Sequence, residues 1–379
     1  MANVILSARQ ADIRSAGRAK ARMAIVLALI LAVATLTSCS GNSETPSQTE
    51  TNSSPDPAET AAADPAAEKA AAYAAEPASS RTIHIAYDGG LCQAAIPIAQ
   101  FKGFLEAEGI VAELTKTGGT QDNTRDALVA GKIDTAAGMI AGWLKPITNG
   151  VDIRFSVGLH TGCASAFVLA DSSIQSFADA KGKTVAINGG IGGIYHNIGY
   201  RFIAHDGFVP EDFTWKDFPA DQTLLILQKG EADVAVFSDQ LAEQWVQDGT
   251  LRRIRSLHED ADFADEACCV FGFSGAFLDE NPITAEKVSR AVYNAALWIG
   301  ESDANKEEAA QILLDNGYIS GTKEYAVSLM KLFRWGLPND LTEATLNLSV
   351  TDYQDLGVIS AGLDPVEINK QVWAPLDIE

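Results

Sequence analysis

The sequence lacks the short motifs that mark several large classes of enzyme. It contains no Gly-x-x-x-x-Gly-Lys-Ser/Thr phosphate loop, no Gly-x-Ser-x-Gly turn and no His-Glu-x-x-His helix. These absences argue against P-loop ATP hydrolysis, serine hydrolase chemistry of the α/β type and zinc protease chemistry. No nucleophile and base are paired convincingly either, so we expect a protein that is not an enzyme and needs no cofactor.

Basic residues are also scarce. The chain carries 28 Lys and Arg against 50 Asp and Glu, a formal net charge of −22. Nucleic acids and anionic lipid surfaces are bound through positive surfaces, so this balance excludes them as expected partners. A small anionic ligand stays compatible with the sequence, because backbone dipoles at a helix start can hold one against an unfavourable net charge.

Long apolar runs are rare, and the clearest one lies near the N-terminus. Residues 25–36 are apolar but too short for a stable spanning helix, and several basic residues precede them. Leu36-Thr37-Ser38-Cys39 follows and resembles a lipobox. We therefore predict a lipoprotein signal peptide over residues 1–38, diacylation of Cys39 and an anchor on the outer face of the cell membrane; an ordinary secretory peptide is the alternative.

The next segment has almost no large apolar side chains. Residues 39–80 are rich in Ser, Thr, Pro, Ala and Glu, a composition that cannot bury enough apolar surface to offset its ordering entropy. We predict a disordered tether there, with some helical tendency in the Ala-rich part. About 300 residues remain, which is more than one core usually supports.

A nine-residue pattern occurs twice in that remainder. Residues 128–136 and 227–235 both read Leu-x-x-Gly-x-x-Asp-x-Ala. A helix that ends at a left-handed Gly and is followed by an apolar strand explains the pattern. One such unit used twice, about a hundred residues apart, predicts two lobes of similar topology with a cleft between them.

Strands alternate with helices along the folded part, which predicts an α/β fold with mostly parallel sheets flanked by helices. Ligands of such sheets bind at the carboxyl ends of the strands. Thirteen candidate ligand-binding residues follow predicted strands or lie where the lobes join: Asp88, Gly90, Cys92, Gly119, Thr120, Trp143, His160, Cys163, Gly190, Gly192, Tyr195, Asp239 and Cys269.

Each candidate has a chemical role and a plainer one. Asp88 and Asp239 can accept hydrogen bonds from a ligand or cap a following helix. The glycines of residues 189–193 can present backbone N–H groups to an anion or permit a close helix–strand approach. Trp143 can stack on a ligand or pack in a lobe. We expect Asp122 or Asn123 to cap the helix that follows Thr120.

The four cysteines of the folded part leave three interpretations open. They can form an extracytoplasmic disulfide, lie buried as small apolar thiols, or coordinate a soft metal or ligand together with His160. Cys268 and Cys269 are adjacent in a predicted strand. In a regular strand neighbouring side chains point to opposite faces, so we expect only one of the two to face the cleft.

Several segments resemble a known family: residues 127–134, 176–186, 227–235, 277–282 and 352–359. They resemble substrate-binding proteins of the nitrate/sulfonate/taurine class of ABC importers, including relatives that bind thiamine-pyrimidine precursors. The resemblance implies a type II periplasmic-binding-protein fold, with residues 81–166 plus 270–379 in one lobe and 167–269 in the other. It also implies a monomer that closes on a small solute and delivers it to a permease with its ATPase.

The fungal pyrimidine synthases of the same superfamily provide the alternative function. They carry a Cys-Cys-Cys-Phe-Cys run associated with iron, whereas residues 268–272 here read Cys-Cys-Val-Phe-Gly. This departure argues against the synthase activity and leaves a metal or thiol role open. A metal- or cofactor-dependent enzyme is therefore the second hypothesis.

Overall fold

The computed structural model describes residues 64–376. The predicted signal peptide, Cys39 and residues 40–63 of the predicted tether lie outside the described residues. The eleven strands of the described part, in chain order, are β1 (Ile83–Ala86), β2 (Ala112–Thr115), β3 (Thr135–Met139), β4 (Ile153–Thr161), β5 (Ala164–Leu169), β6 (Thr184–Ile187), β7 (Thr214–Asp217), β8 (Val234–Ser238), β9 (Leu251–Ser256), β10 (Ala267–Ser274) and β11 (Trp335–Leu337).

Helices connect the strands and form most of the C-terminal third. They are α1 (Pro65–Ala75), α2 (Ala95–Phe101), α3 (Phe104–Ala107), α4 (Gln121–Val129), α5 (Ile140–Thr148), α6 (Ile194–His205), α7 (Thr223–Gln228), α8 (Asp239–Gln247), α9 (Gly275–Glu280), α10 (Pro282–Glu301), α11 (Asp303–Asp315), α12 (Lys323–Lys331), α13 (Asn339–Asp355) and α14 (Pro365–Val372). Within residues 64–376, none of these helices is long and apolar enough to cross a membrane.

The strands form two sheets. The first has the order β11-β4-β10-β3-β1-β2 and the second the order β7-β6-β8-β5-β9. We call each sheet with its helices a lobe. The predicted two-lobed α/β fold is confirmed, but the sheets are mixed rather than mostly parallel. β1 and β6 pair in parallel with both neighbours, whereas β4, β5, β9, β10 and β11 pair antiparallel.

The repeated pattern builds the same unit in each lobe. α4 and α7 carry its Leu, and Gly131 and Gly230 adopt positive φ angles of 65° and 70°, which end the helices as predicted. The Asp residues then join neighbouring strands. The Asp134 carboxylate accepts a hydrogen bond from the backbone N–H of His84 at 2.8 Å, and Asp233 accepts one from Thr184 at 3.0 Å. The repeat is therefore a scaffold element that connects each new strand to its parallel partner.

The structure differs from the predicted tether at residues 65–80. Residues 65–75 form α1, and Glu76 is buried. Its carboxylate accepts hydrogen bonds from the backbone N–H groups of Ile283 and Thr284, at the start of α10, where N–H groups have no intrahelical partner. Composition alone did not predict this order, because the stabilising partner lies more than 200 residues away in the sequence.

The sequence analysis also did not predict the strand β11. Trp335 and Leu337 pair with His160 and Gly158 of β4. A three-residue strand has too little sequence to display an alternating pattern, and its identity is decided by the available edge of β4.

We expect Asp134→Ala to lower the free energy of unfolding by about 2 kcal/mol, because it removes charge-assisted hydrogen bonds to the His84 N–H and to Arg81. Urea unfolding followed by circular dichroism measures the loss. Asp122→Ala, which removes an exposed partner of Arg125, is the matched control and should cost no more than about 0.5 kcal/mol. Equal losses in the two variants would contradict the scaffold role of the repeat.

Candidate functional site at the junction of the two sheets

Two segments connect the sheets. The first runs from β4 to β5 through Gly162 and Cys163, and the second runs from β9 to β10 through residues 257–266. The segments touch where Leu257 donates its N–H to the carbonyl of Ala164 at 3.1 Å. A Cβ on Gly162 would lie 2.4 Å from the backbone carbon of Leu257, so only glycine permits this approach.

A group of sulfur and imidazole side chains lies at this junction. One ligand-type atom from each of Cys92, His160, Cys163 and Cys269 lies within 4.8 Å of all the others. We call these four residues the thiol–imidazole cluster. Cys92 comes from the 3₁₀ turn after β1, His160 from the end of β4, Cys163 from the first connecting segment and Cys269 from β10. Four residues that we expected at the cleft are therefore brought together.

Cys268 joins this group at its edge, contrary to the expected alternation. Its sulfur lies 3.2 Å from that of Cys163, and both Cys268 and Cys269 are buried. The reason is irregular pairing: the register of β10 against β4 shifts on both sides of Cys269. Such a bulge bends the strand and changes the side to which its residues point. The cysteines described in residues 64–376 are free thiols rather than disulfides.

The environment of the cluster changes its acid–base properties. Hydrogen bonds from the thiols of Cys163 and Cys269 lower the pKa of the Cys92 thiol well below its usual value, in spite of burial. Tyr195, at the start of α6 in the second lobe, lies near Cys92 and Cys163. Burial, and then the charges of these cysteines, raise the pKa of its hydroxyl. Tyr195 is thus a neutral group of the second lobe that faces the cluster.

Polar contacts hold the two lobes together around this region. The backbone N–H of Leu91, beside Cys92, donates to Oε1 of Gln240 in α8 at 2.9 Å. Nδ2 of Asn197 in α6 donates to the carbonyl of Ala141 in α5 at 2.9 Å. Both contacts join residues that follow strands of the first sheet to helix starts of the second lobe, so the cleft is closed in this conformation.

A buried ion-pair network lies next to these contacts. Arg201 of α6 pairs with Glu266 at 2.8 Å and with Asp352 of α13 at 2.7 Å. Burial raises the pKa of Asp352, but hydrogen bonds from His205 and the charge of Arg201 outweigh it and bring the pKa below its usual value. A cavity of about 30 Å³ lies here, lined by Ala141, Arg201 and Cys268 among others. That volume is enough for a water molecule.

Two candidates at the edge of the first lobe have internal partners. The Asp88 carboxylate accepts hydrogen bonds from the backbone N–H groups of Thr117 and Gly118 at 2.8 and 2.9 Å, so it holds the loop after β2 and caps no helix. Burial alone would raise the pKa of Asp88. These hydrogen bonds and that of the Thr117 hydroxyl outweigh burial and bring the pKa below its usual value. Exposed Thr120, beside Gly119, is the N-cap of α4; the expectation that Asp122 or Asn123 caps this helix is wrong.

The remaining candidates are also occupied by contacts within the chain. Trp143 is 1% exposed and packs against Phe155 in the first lobe. The backbone N–H groups of Gly190 and Gly192 donate to Asp217 and His196. The Asp239 carboxylate is fully buried and accepts hydrogen bonds from Ser165 and Arg253, while Ser238 caps α8 in its place.

Sequence reasoning missed several residues of this junction, among them Gln240, Arg201 and Asp352. Gln240 carried a usable signal, because it follows the second copy of the repeat at the carboxyl end of its strand. Arg201 and Asp352 carried none, since an Arg inside an amphipathic helix is ordinarily solvated and its partner lies 151 residues away.

The Arg201 network gives a pH-dependent prediction. Because the folded pKa of Asp352 lies below its unfolded value of about 3.9, its stabilising contribution is present above that pH and is lost as pH falls through the folded pKa. We expect Asp352→Asn to be less stable than the wild type at pH 7 and the difference to shrink below about pH 4. Urea unfolding from pH 7 to 3 measures it. Asp355→Asn, exposed on the same helix, should show little difference at any pH.

Solved structures share this architecture. The periplasmic nitrate-binding protein NrtA from Synechocystis PCC 6803 is 20% identical, with a TM-score of 0.64 over 77% of this chain and 86% of that chain. The alkanesulfonate-binding protein SsuA from Xanthomonas axonopodis pv. citri, bound to MOPS, is 17% identical, with a TM-score of 0.62 over 79% of this chain and 99% of that chain. The desulfurization enzyme DSZB is 16% identical, with a TM-score of 0.55 over 77% of this chain and 96% of that chain.

At these identities the likeness establishes the fold. The sequence matches no curated protein. A model of a protein family, the NMT1-like family, matches residues 76–314, which is more than half of the chain. The matched range contains both copies of the repeat and all four residues of the thiol–imidazole cluster. The chain therefore belongs to the NMT1-like family.

Proposed function

We propose that this chain is an extracytoplasmic solute-binding lipoprotein of an ABC importer. It would capture a small molecule between its lobes and deliver it to a permease and its ATPase, acting as a monomer. The lobes would comprise residues 81–166 plus 270–379 and residues 167–269. Membership in the NMT1-like family and the fold of NrtA and SsuA support this function.

The observation that carries the proposal is the nature of the contacts across the cleft. The hydrogen bonds of Gln240 with Leu91 and of Asn197 with Ala141 are contacts between separate elements at the carboxyl ends of the strands. Each contributes only about 1 kcal/mol, and neither belongs to the strand pairing of a sheet, so separation of the lobes would leave both sheets paired. A solute that contacts both lobes would stabilise the closed form by its additional contacts there.

The enzymatic alternative receives less support. Among the structures compared, binding proteins predominate, although DSZB has the same fold and is an enzyme. We therefore infer that the chain binds its solute without transforming it.

The first test compares closure in the wild type and in Gln240→Ala. Losing the Leu91–Gln240 hydrogen bond should shift the open–closed equilibrium about fivefold toward the open form, because it removes about 1 kcal/mol from the closed form alone. Small-angle X-ray scattering should give a larger radius of gyration for this variant. Gln311→Ala, whose side chain bonds only within α11 at the surface, is the control and should match the wild type.

The same measurement tests solute binding. Pyrimidines, sulfonates, nitrate, amino acids and metal salts are added to the wild type, and thermal shift and scattering are recorded together. At least one solute should raise the melting temperature and compact the protein. A protein that converts a solute into product, or that responds to no member of the panel in either measurement, would contradict the proposal.

Membrane anchoring is tested separately. In a bacterial host that processes lipoproteins, the wild type should incorporate an alkyne-labelled fatty acid and remain in the membrane fraction, and Cys39→Ser should incorporate none, because the thiol is the acylation site. Ser38→Ala keeps a small residue before Cys39 and serves as the control that retains the label. Equal labelling of Cys39→Ser and the wild type would disprove the lipoprotein assignment.

A further inference from the structure

The thiol–imidazole cluster has the composition of a metal site. Three thiols and one imidazole are a common ligand set for zinc, and soft thiolate ligands also favour Cu(I). In a tetrahedral site with metal–sulfur bonds of about 2.3 Å, the donor atoms lie roughly 3.7 Å apart. The four donors here are already within 4.8 Å of one another, so small side-chain rotations suffice to close the set.

His160 supplies an observation that is independent of this clustering. Its Nδ1 lies 2.6 Å from the carbonyl oxygen of Thr161, and a carbonyl only accepts hydrogen bonds, so Nδ1 carries the proton. Nε2 therefore presents a lone pair. The ring is fully buried, and within residues 64–376 Nε2 makes no hydrogen bond of good geometry, although the Cys92 thiol lies beside the ring. A thiol is a weak hydrogen-bond donor, so a metal ion would satisfy this buried nitrogen better.

The surroundings fix the imidazole in the orientation that a ligand needs. Metal-binding histidines ordinarily donate their other N–H to a carbonyl or carboxylate, as His160 does to Thr161. The ring also stacks on Phe333, with the ring centroids 4.7 Å apart, and packs against Trp335, with the ring centroids 5.0 Å apart. These contacts limit rotation of the ring, which reduces the entropy that is lost when a metal binds.

We propose that Cys92, His160, Cys163 and Cys269 form a Cys₃His site for a thiophilic metal ion of the Zn²⁺ or Cu(I) class. Its donors come from the first lobe and from one of the two connecting segments. Tyr195 of the second lobe faces them, and Gln240 contacts the backbone next to Cys92. The site is therefore covered when the lobes close. It goes beyond the proposed solute-binding function and does not depend on a permease.

Cys268 gives the sharpest control, since it lies 3.2 Å from Cys163 but outside the set of four. The full-length chain is purified in mild detergent, reduced, stripped of metal and titrated with Co²⁺. The wild type should develop the sulfur-to-cobalt charge-transfer band and the strong visible bands of a tetrahedral thiolate site. Zn²⁺ should displace the cobalt, and Cu(I) is measured by competition with a chromophoric chelator.

We expect His160→Ala and Cys269→Ser to weaken Zn²⁺ binding by at least about 100-fold, since each removes a ligand. Cys268→Ser should bind within about threefold of the wild type. Circular dichroism shows whether each variant is folded, and the wild-type cobalt spectrum provides a test that needs no variant.

Three results would overturn the site. One is a reduced wild type without tetrahedral cobalt bands and without Zn²⁺ or Cu(I) binding. Another is metal binding that persists unchanged in folded His160→Ala. The third is loss of binding in Cys268→Ser alone, which would assign the cysteines to a Cys163–Cys268 pair instead. Compaction of the protein by organic solutes is measured in a separate experiment. A failure of the metal site would therefore leave the proposal of a solute-binding protein standing.

Discussion

The antiparallel pairing of β4 with β10 is the constraint on which both the fold and the junction depend. β4 leads into the second lobe and β10 returns from it, so the two connecting segments must leave one sheet side by side. The register places Cys269 opposite His160, and the shifts around Cys269 bring Cys268 to the same region. A slip of one residue in this register would move these side chains to the other face and separate the cluster.

The contacts across the cleft are of a different kind from those within each lobe. Strand pairing holds each sheet, whereas hydrogen bonds, the Arg201 ion pairs and apolar side-chain packing join the two lobes. Buried ion pairs offset most of their own desolvation, so they specify the closed geometry more than they stabilise it. A junction built this way can open as a rigid-body motion while the sheets stay intact.

Much of the fold was predictable because local sequence signals agreed with it. The repeat around Gly131 and Gly230 predicted two similar units, and the alternation of strands and helices predicted the α/β class. The errors occurred where the partner was distant. β11 needed the edge of β4, the order of residues 65–80 needed the start of α10, and Ser238 and Thr120, rather than the neighbouring acidic residues, proved to be the helix caps.

The sequence by itself determined the periodic units, their glycine turns and the acidic surface, because these depend on neighbours a few residues apart. It also singled out Cys92, His160, Cys163 and Cys269 as residues near strand ends. Only the tertiary structure decided that these four converge while Asp88, Trp143 and Asp239 are occupied elsewhere. The reason is that convergence depends on strand register and on a bulge, and both are fixed by contacts between segments more than a hundred residues apart.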